Sequence, residues 1–231
     1  MQAIEPSRRR GLTILEVLVV LAIVAILGGL LLPIVSAPRG TSKRIACMRN
    51  LKNVGLAMRI FAQEHGTGLP MNLPANQGGT RELTGDVIQL WRHYLPFTNE
   101  LTNPKILWCP SDSQRKPATR WAPDAADRRA VVFAGNQNLS YFLGLNAHET
   151  QPQTILAGDR NLTTNGLAIG PGRHVVSANT RLGFAETMHK SAGNILLADG
   201  SVQQVTSGRL NEQFQSGLTN SGLTTNVWLV P

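Results

Sequence analysis

From Val17 to Leu32 the chain is an unbroken apolar run, and no other segment limits its fold as strongly. As a helix, Leu12 to Leu32 would extend about 32 Å at ~1.5 Å per residue, close to the ~30 Å of a bilayer's hydrocarbon core. The run is apolar on every face, whereas a helix buried in a soluble core needs only one stripe. A cleaved secretion signal is the competing assignment, but its apolar region is normally only ~7–15 residues. Pro38 also follows the small-residue stretch Val35-Ser36-Ala37 and hinders a cut there. A membrane anchor is therefore expected. Gly28-Gly29 and Pro33 weaken it near one end, since Pro costs about 3 kcal/mol inside a helix.

Immediately before the run stand Arg8-Arg9-Arg10-Gly11-Leu12-Thr13-Ile14-Leu15-Glu16. A charged Glu at mid-bilayer costs roughly 2.5–3.5 kcal/mol, so such a group is retained where something pairs with it. The partner need not lie in the same chain. Charge does not orient the anchor, because Arg8 to Arg10 on one flank balance Arg39, Lys43 and Arg44 on the other.

The net charge of +8 suggests nucleic-acid binding only until it is located. Arg39, Lys43, Arg44, Arg49, Lys52 and Arg59 follow the apolar run with no acid among them, while 13 basic and 11 acidic residues lie beyond His65. The basic character belongs to the stem, where anionic lipid head groups account for it. An aromatic content of 5% leaves little for stacking on single strands. No nucleic-acid partner is expected.

The segment around Gly11 resembles the leader of type IV prepilins and type II secretion pseudopilins: a basic leader, Gly, an apolar residue, Thr, two apolar residues, Glu, then the anchor. Leu12 stands where the family usually has Phe. The resemblance implies that a prepilin peptidase cuts after Gly11 and that the new amine of Leu12 is N-methylated. It also implies that Glu16 meets the Leu12 amine of a neighbouring copy, so that two groups costly in lipid neutralise one another. The implied partners are further copies and related pseudopilins, an assembly ATPase with its platform protein, and membrane lipid. The implied location is the bacterial inner membrane, single-pass, with the N-terminus cytoplasmic and the head periplasmic or extracellular. A second resemblance, to large-headed pilin-like proteins, rests on Cys47 to Lys52, Cys109 to Asp112, Ser140-Tyr141, and His189 followed by nine residues and Asp199-Gly200. It implies architecture and export route and leaves the head's role undefined.

Beyond the anchor, Ile45, Met48, Leu51, Gly55, Met58 and Ala62 recur at helical spacing with Phe61 beside them, and His65-Gly66 supplies a stop. Pro and Gly punctuate residues 67–130, with a short helix expected over Asp86 to Tyr94. Strand-like runs follow at Ala130–Ala134, Leu139–Leu143, Thr154–Ala157, Leu167–Ile169 and Asn194–Ala198. Asp199-Gly200 then reads as a two-residue turn into Ser201–Val205. The expected fold is α+β and pilin-like: a long N-terminal helix, half transmembrane and half amphipathic, packed on an antiparallel β-sheet head. The boundaries are 1–11 for the leader, 12–35 for the anchor, 36–66 for the stem and 67–231 for the exported head.

Chemistry is sparse. His189 and Asp199 flank one strand and invite an acid–base or metal reading, against which Asp199 is a turn residue and His189 packs on the hairpin. The five histidines are too dispersed in sequence for a zinc motif. Secretion pseudopilins can bind calcium in a head loop, which takes several oxygen ligands. No dense Asp/Asn cluster occurs here, so calcium is the one cofactor left open and no metal site is assigned. Cys47 and Cys109 would enter an oxidising compartment. A bridge between them would close a loop of some 60 residues, worth roughly 4 kcal/mol; the spacing leaves a bridge and two buried thiols equally open. No Gly-x-Ser-x-Gly elbow, phosphate loop or dinucleotide fingerprint is present, and no enzymatic activity is expected. Two functional classes follow: a structural filament subunit, or an anchored binding module that does not polymerise. A tethered hydrolase would need converging His and carboxylates.

Overall fold

In a computed structural model of the chain, the described residues are 13–35, 39–66, 68–123, 127 and 129–231, with the backbone path alone for 29–35 and 39. The expected leader, Leu12 and Ser36 to Pro38 lie outside them. The chain divides into two compact units, Met1–Thr41 and Ser42–Pro231.

The first unit contains helix α1, Ile14–Val35. Its apolar side chains are exposed, Ile14 at 82% and Leu18 at 58% among them. Among the described residues, no helix is long and apolar enough to cross a membrane. The side chains described in α1, Ile14 to Gly28, cover roughly 22 Å of helix, short of a ~30 Å hydrocarbon core.

In the second unit, helix α2 (Arg39–Glu64) lies from Ser42 onward against one face of a sheet. Cys47, Leu51, Val54, Met58 and Phe61 follow the i, i+3, i+4 rule and are all buried. That stripe is rotated from the expected one: Ile45 is 53% exposed, and Cys47 stands on the buried face in its place. Gly55 packs closely on the sheet: a Cβ there would come within 2.5 Å of Leu196 Cδ1, and that side chain would have to shift. Gly66, in the left-handed region at φ +68°, follows the helix end.

The sheet has six strands in the order β5-β9-β1-β2-β7-β8. These are β1 Tyr141–Gly144, β2 Ile155–Asp159, β5 Gly172–Ser177, β7 Ala192–Leu197, β8 Val202–Thr206 and β9 Thr225–Val230. Every pairing is antiparallel. A smaller antiparallel sheet, β4-β3-β6, comprises β3 Leu162–Thr164, β4 Leu167–Ala168 and β6 Leu182–Phe184.

Strand alternation divides the interior into two cores. Tyr141, Leu143, Leu156, Leu196 and Leu229 face α2 and the irregular segment 68–123. Phe142, Ile155, Ile195, Leu197, Trp228 and Val230 face the other way, onto Leu210, Phe214 and Leu218 of helix α4 (Ser207–Ser221). Trp228 stacks on Phe142 at 4.7 Å and meets Phe214 edge-on at 5.5 Å. Each such side chain, fully buried, contributes about 1.5–3 kcal/mol. This is the expected α+β, pilin-like arrangement, an N-terminal helix packed on a mostly antiparallel sheet, with a second helical layer on the far face.

Three local expectations need correction. Ala130–Ala134 is not a strand: only an isolated bridge joins Val132 to Arg120. The expected helix over Asp86 to Tyr94 is a 3-10 helix, Val87–Phe97, opened by the Asp86 carboxylate accepting from Ile88 N at 2.9 Å. The β7–β8 turn is longer than two residues, because Leu196 pairs with Val202 and Leu197 N donates to Ser201 O.

Candidate functional site

Residue Glu16, expected to meet a neighbouring chain, begins helix α1 as half of a capping box. Thr13 N donates to Glu16 Oε2 at 2.9 Å and Thr13 Oγ1 does so at 3.1 Å, while Glu16 N donates to Thr13 Oγ1 at 3.3 Å. The carboxylate also sits at the positive end of the helix dipole. It is therefore fixed in direction within its own chain while staying exposed. Gly11 and Leu12, the expected processing residues, lie outside the described residues.

The other singled-out residues converge where α2 meets the sheet. Cys47 and Cys109 are joined by a disulfide, Cα–Cα 4.8 Å, tying the stem to the loop that precedes Asp112. Beside it lies His189, the last residue of the short helix α3 (Glu186–His189), with Nε2 3.3 Å from Cys109 Sγ. The same nitrogen is 3.3 Å from Oδ2 of Asp159, at the end of β2. That oxygen also accepts from Asn194 N at 2.7 Å and Asn194 Nδ2 at 2.8 Å. Oδ1 of Asp159 is buried without a hydrogen-bond partner. Tyr141 pairs with Asp159 across β1–β2 and points its hydroxyl at Cys47 O, 3.4 Å away. Burial, and next the Asp159 charge, push the Tyr141 hydroxyl well above the usual tyrosine range.

His189 and Asp199 do not form a site together. They stand before and after β7, whose six residues span about 20 Å at ~3.3 Å each. Asp199 serves the turn: its Oδ1 accepts from Ser201 N at 2.7 Å, and Gly200 takes φ +79°. The turn carbonyls then face the stem, where Arg59 Nη1 donates to Asp199 O at 2.9 Å and Lys52 Nζ donates to Gly200 O at 2.7 Å. At the other end of β7, Arg44 Nη2 donates to His189 O. Nine intervening residues are thus the length of one strand laid along the stem and fastened at both ends. Three of the stem's cations are engaged by head carbonyls, so lipid does not account for all of its basic character.

The remaining motif residues secure the same junction. Asn50 Nδ2 donates to Trp108 O at 3.0 Å, next to the bridged Cys109. Asp112, 1% exposed, receives a bidentate pair from Arg160, Nε to Oδ2 at 2.7 Å and Nη2 to Oδ1 at 2.9 Å. Covalent and ionic links therefore hold one loop to the stem and to the end of β2. Asp159 and Arg160 had no place in the sequence reading. The available signal was an acid and a base closing a fully apolar strand, where an Asp must find partners.

Residues 6–32 match the family model of the prokaryotic N-terminal methylation motif. No curated protein and no solved structure matches the chain. That motif is consistent with a type IV pilin-like protein or pseudopilin. Prepilin peptidase processing, membrane anchoring and assembly into pili or pseudopili accompany that signal in general.

Proposed function

We propose that this protein is a structural subunit of a helical filament assembled from the bacterial inner membrane, a pseudopilus of type II secretion before a related pilus. The observation that carries the reading is the methylation motif over residues 6–32, with Glu16 five residues beyond Gly11. Prepilin peptidase removes residues 1–11, and Leu12 becomes the methylated N-terminus. Residues 12–35 form the anchor, 36–66 the stem and 67–231 the exported head. An assembly ATPase acting through a platform protein extracts the subunit from lipid into the growing stack. Glu16, already aimed by Thr13, then meets the Leu12 amine of the adjacent copy and sets axial register. The protein performs no catalysis and binds no nucleic acid. His189 and Asp159 are 4% and 0% exposed, which closes them to an external substrate.

The junction between stem and head supports this role. Extraction pulls on the stem, and the Cys47–Cys109 bond with the Lys52 and Arg59 hydrogen bonds passes that force to the sheet. Two substitutions test the reading. Glu16→Gln retains an N3 residue able to complete the capping box but removes the charge, whereas Glu16→Ala removes both. Both variants should enter the membrane and fail to join filaments. Normal incorporation of both would overturn the filament reading in favour of an anchored binding module, and normal incorporation of Glu16→Gln alone would reduce Glu16 to a helix cap.

A further inference from the structure

The small sheet buries Leu162, Leu182 and Phe184 in the second core. Its opposite face, in alternation with them, carries Thr163 and Gly183, which pair across β3 and β6. Over that pair opens a cavity of about 550 Å³, whose wall also includes Asn165, Arg181 and Ser207; sites for small molecules have this size. A Cβ at Gly183 would stand 2.6 Å from Thr163 Oγ1 and 3.2 Å from Ser207 Oγ, so the glycine keeps space open between two hydroxyls. Backbone contacts hold the wall in shape. Asn165 N donates to Arg181 O at 2.7 Å, and Arg181 N donates back to Asn165 Oδ1 at 3.1 Å. Asn165 at φ +52° and Gly166 at φ +85° make the turn from β3 into β4 that this clasp requires.

The polar groups left over in this wall are donors. With its Oδ1 engaged, Asn165 has the Nδ2 amide to offer. Ser207 Oγ accepts from Phe184 N at 3.1 Å and keeps its own proton for another acceptor. Among the described residues, the Thr163 hydroxyl and the Arg181 guanidinium make no hydrogen bond or ion pair. No Asp or Glu lines the cavity, whereas the one beside Glu82 and Arg92 carries both signs. A guanidinium, an amide and two hydroxyls without an acid call for an oxyanion, and the planar fork of Arg matches phosphoryl oxygens. The space is several times what one oxyanion fills, and Leu182 turns its side chain away into the core, so the remainder is polar as well. We propose that this cavity binds a phosphomonoester of a sugar-sized, hydroxyl-rich molecule. Arg181 supplies the charge, and Thr163, Ser207 and Asn165 supply the remaining hydrogen bonds. The inference goes beyond the filament reading and does not rest on it, because every residue lies within the second unit.

The test is isothermal titration of the full chain, in micelles of a detergent free of sugar and phosphate, with glucose 6-phosphate, inorganic phosphate and glucose. Glucose 6-phosphate should bind at one equivalent, and more weakly as NaCl rises, because salt screens the pairing with Arg181. Inorganic phosphate should bind at least ~10-fold more weakly for want of the hydrogen bonds to the sugar, and glucose should not bind. Arg181→Gln should weaken glucose 6-phosphate binding at least ~10-fold, Arg181→Lys by less, and Thr163→Val at least ~3-fold. Arg181 is exposed, so Arg181→Gln should leave the melting temperature unchanged. Ser207→Ala is unsuitable, since it also takes the acceptor from Phe184 N. No binding of glucose 6-phosphate, equal binding of glucose, or Arg181→Gln binding as tightly as the parent would overturn the site. Inorganic phosphate binding as tightly as glucose 6-phosphate would overturn the sugar-sized ligand.

Discussion

Replacing both cysteines, Cys47→Ala with Cys109→Ala, isolates what the covalent link contributes. The bridge joins residues 62 apart in sequence, and releasing a loop of that length from the denatured chain costs about 4 kcal/mol of stability in the chain-entropy model. Ala is preferable to Ser, because both positions are fully buried beside His189 and a hydroxyl there would need a partner. The non-covalent contacts of the stem survive, since Leu51, Val54, Met58 and Phe61 still pack on the sheet and Lys52 and Arg59 still hold the turn. The double variant should therefore fold with α2 docked. Urea unfolding of the detergent-solubilised chain, followed by circular dichroism with a chelator present, should show a loss near 4 kcal/mol. The denaturant dependence should also steepen, because the unlinked denatured chain exposes more surface. Phosphine reduction of the parent protein should reproduce both changes. A loss no larger than the ~1 kcal/mol of an average single substitution would mean that the bridge decorates a junction already held by packing.

Two further perturbations probe the head without touching that covalent bond. His93 is buried with Nδ1 2.6 Å from Thr80 Oγ1, and desolvation lowers its pKa from 6.5 to about 4. Between those values the unfolded chain binds the extra proton, so stability present above pH 6.5 falls as pH drops toward 4, by on the order of 3 kcal/mol. Acid titration of unfolding midpoints should show that decline, and His93→Gln should flatten it. Arg160→Met leaves the buried Asp112 carboxylate without its cation, with the Gln114 N–H still donating to Oδ1, and should cost about 3–5 kcal/mol, most of it recovered on adding Asp112→Leu; a double-mutant cycle on denaturation midpoints measures the coupling.

Local patterns were legible in the sequence wherever they recur at short range. The stem helix, its end near Glu64, the strands around Leu156 and Ile195 and the turn at Gly200 all follow from periodicity and turn chemistry. Apolarity alone places Ile45 on the buried face; the sheet instead selects the stripe through Cys47, whose partner is 62 residues away. β9 and β5, which pair over six residues, do not stand out in the sequence, because polar residues such as Arg173, His174 and Asn226 blur their alternation. α4 left a visible signal in the Leu210, Phe214 and Leu218 spacing, with Thr206 as cap and Gly222 in the left-handed region after it.

The candidate site shows the same boundary more sharply. His189 and Asp199 stand out in sequence as a pair, but a ten-residue separation that contains a strand cannot bring their side chains together. The carboxylate that reaches His189 comes from β2, through a strand pairing that spacing alone does not reveal. The histidines are dispersed along the chain, and His189 is the one that reaches the Cys47–Cys109 bridge among the described residues. Glu16 was legible as a costly anchor residue, whereas its bond to Thr13 is a local motif that the same residues also encode.

The mature N-terminus, determined by mass spectrometry on protein purified from the membrane, tests the central assignment most directly. A polypeptide beginning at Leu12 with a methyl group on its amine is the predicted species. A chain that still begins at Met1, or one that begins at Pro38, would contradict both processing after Gly11 and the Glu16 pairing that depends on it.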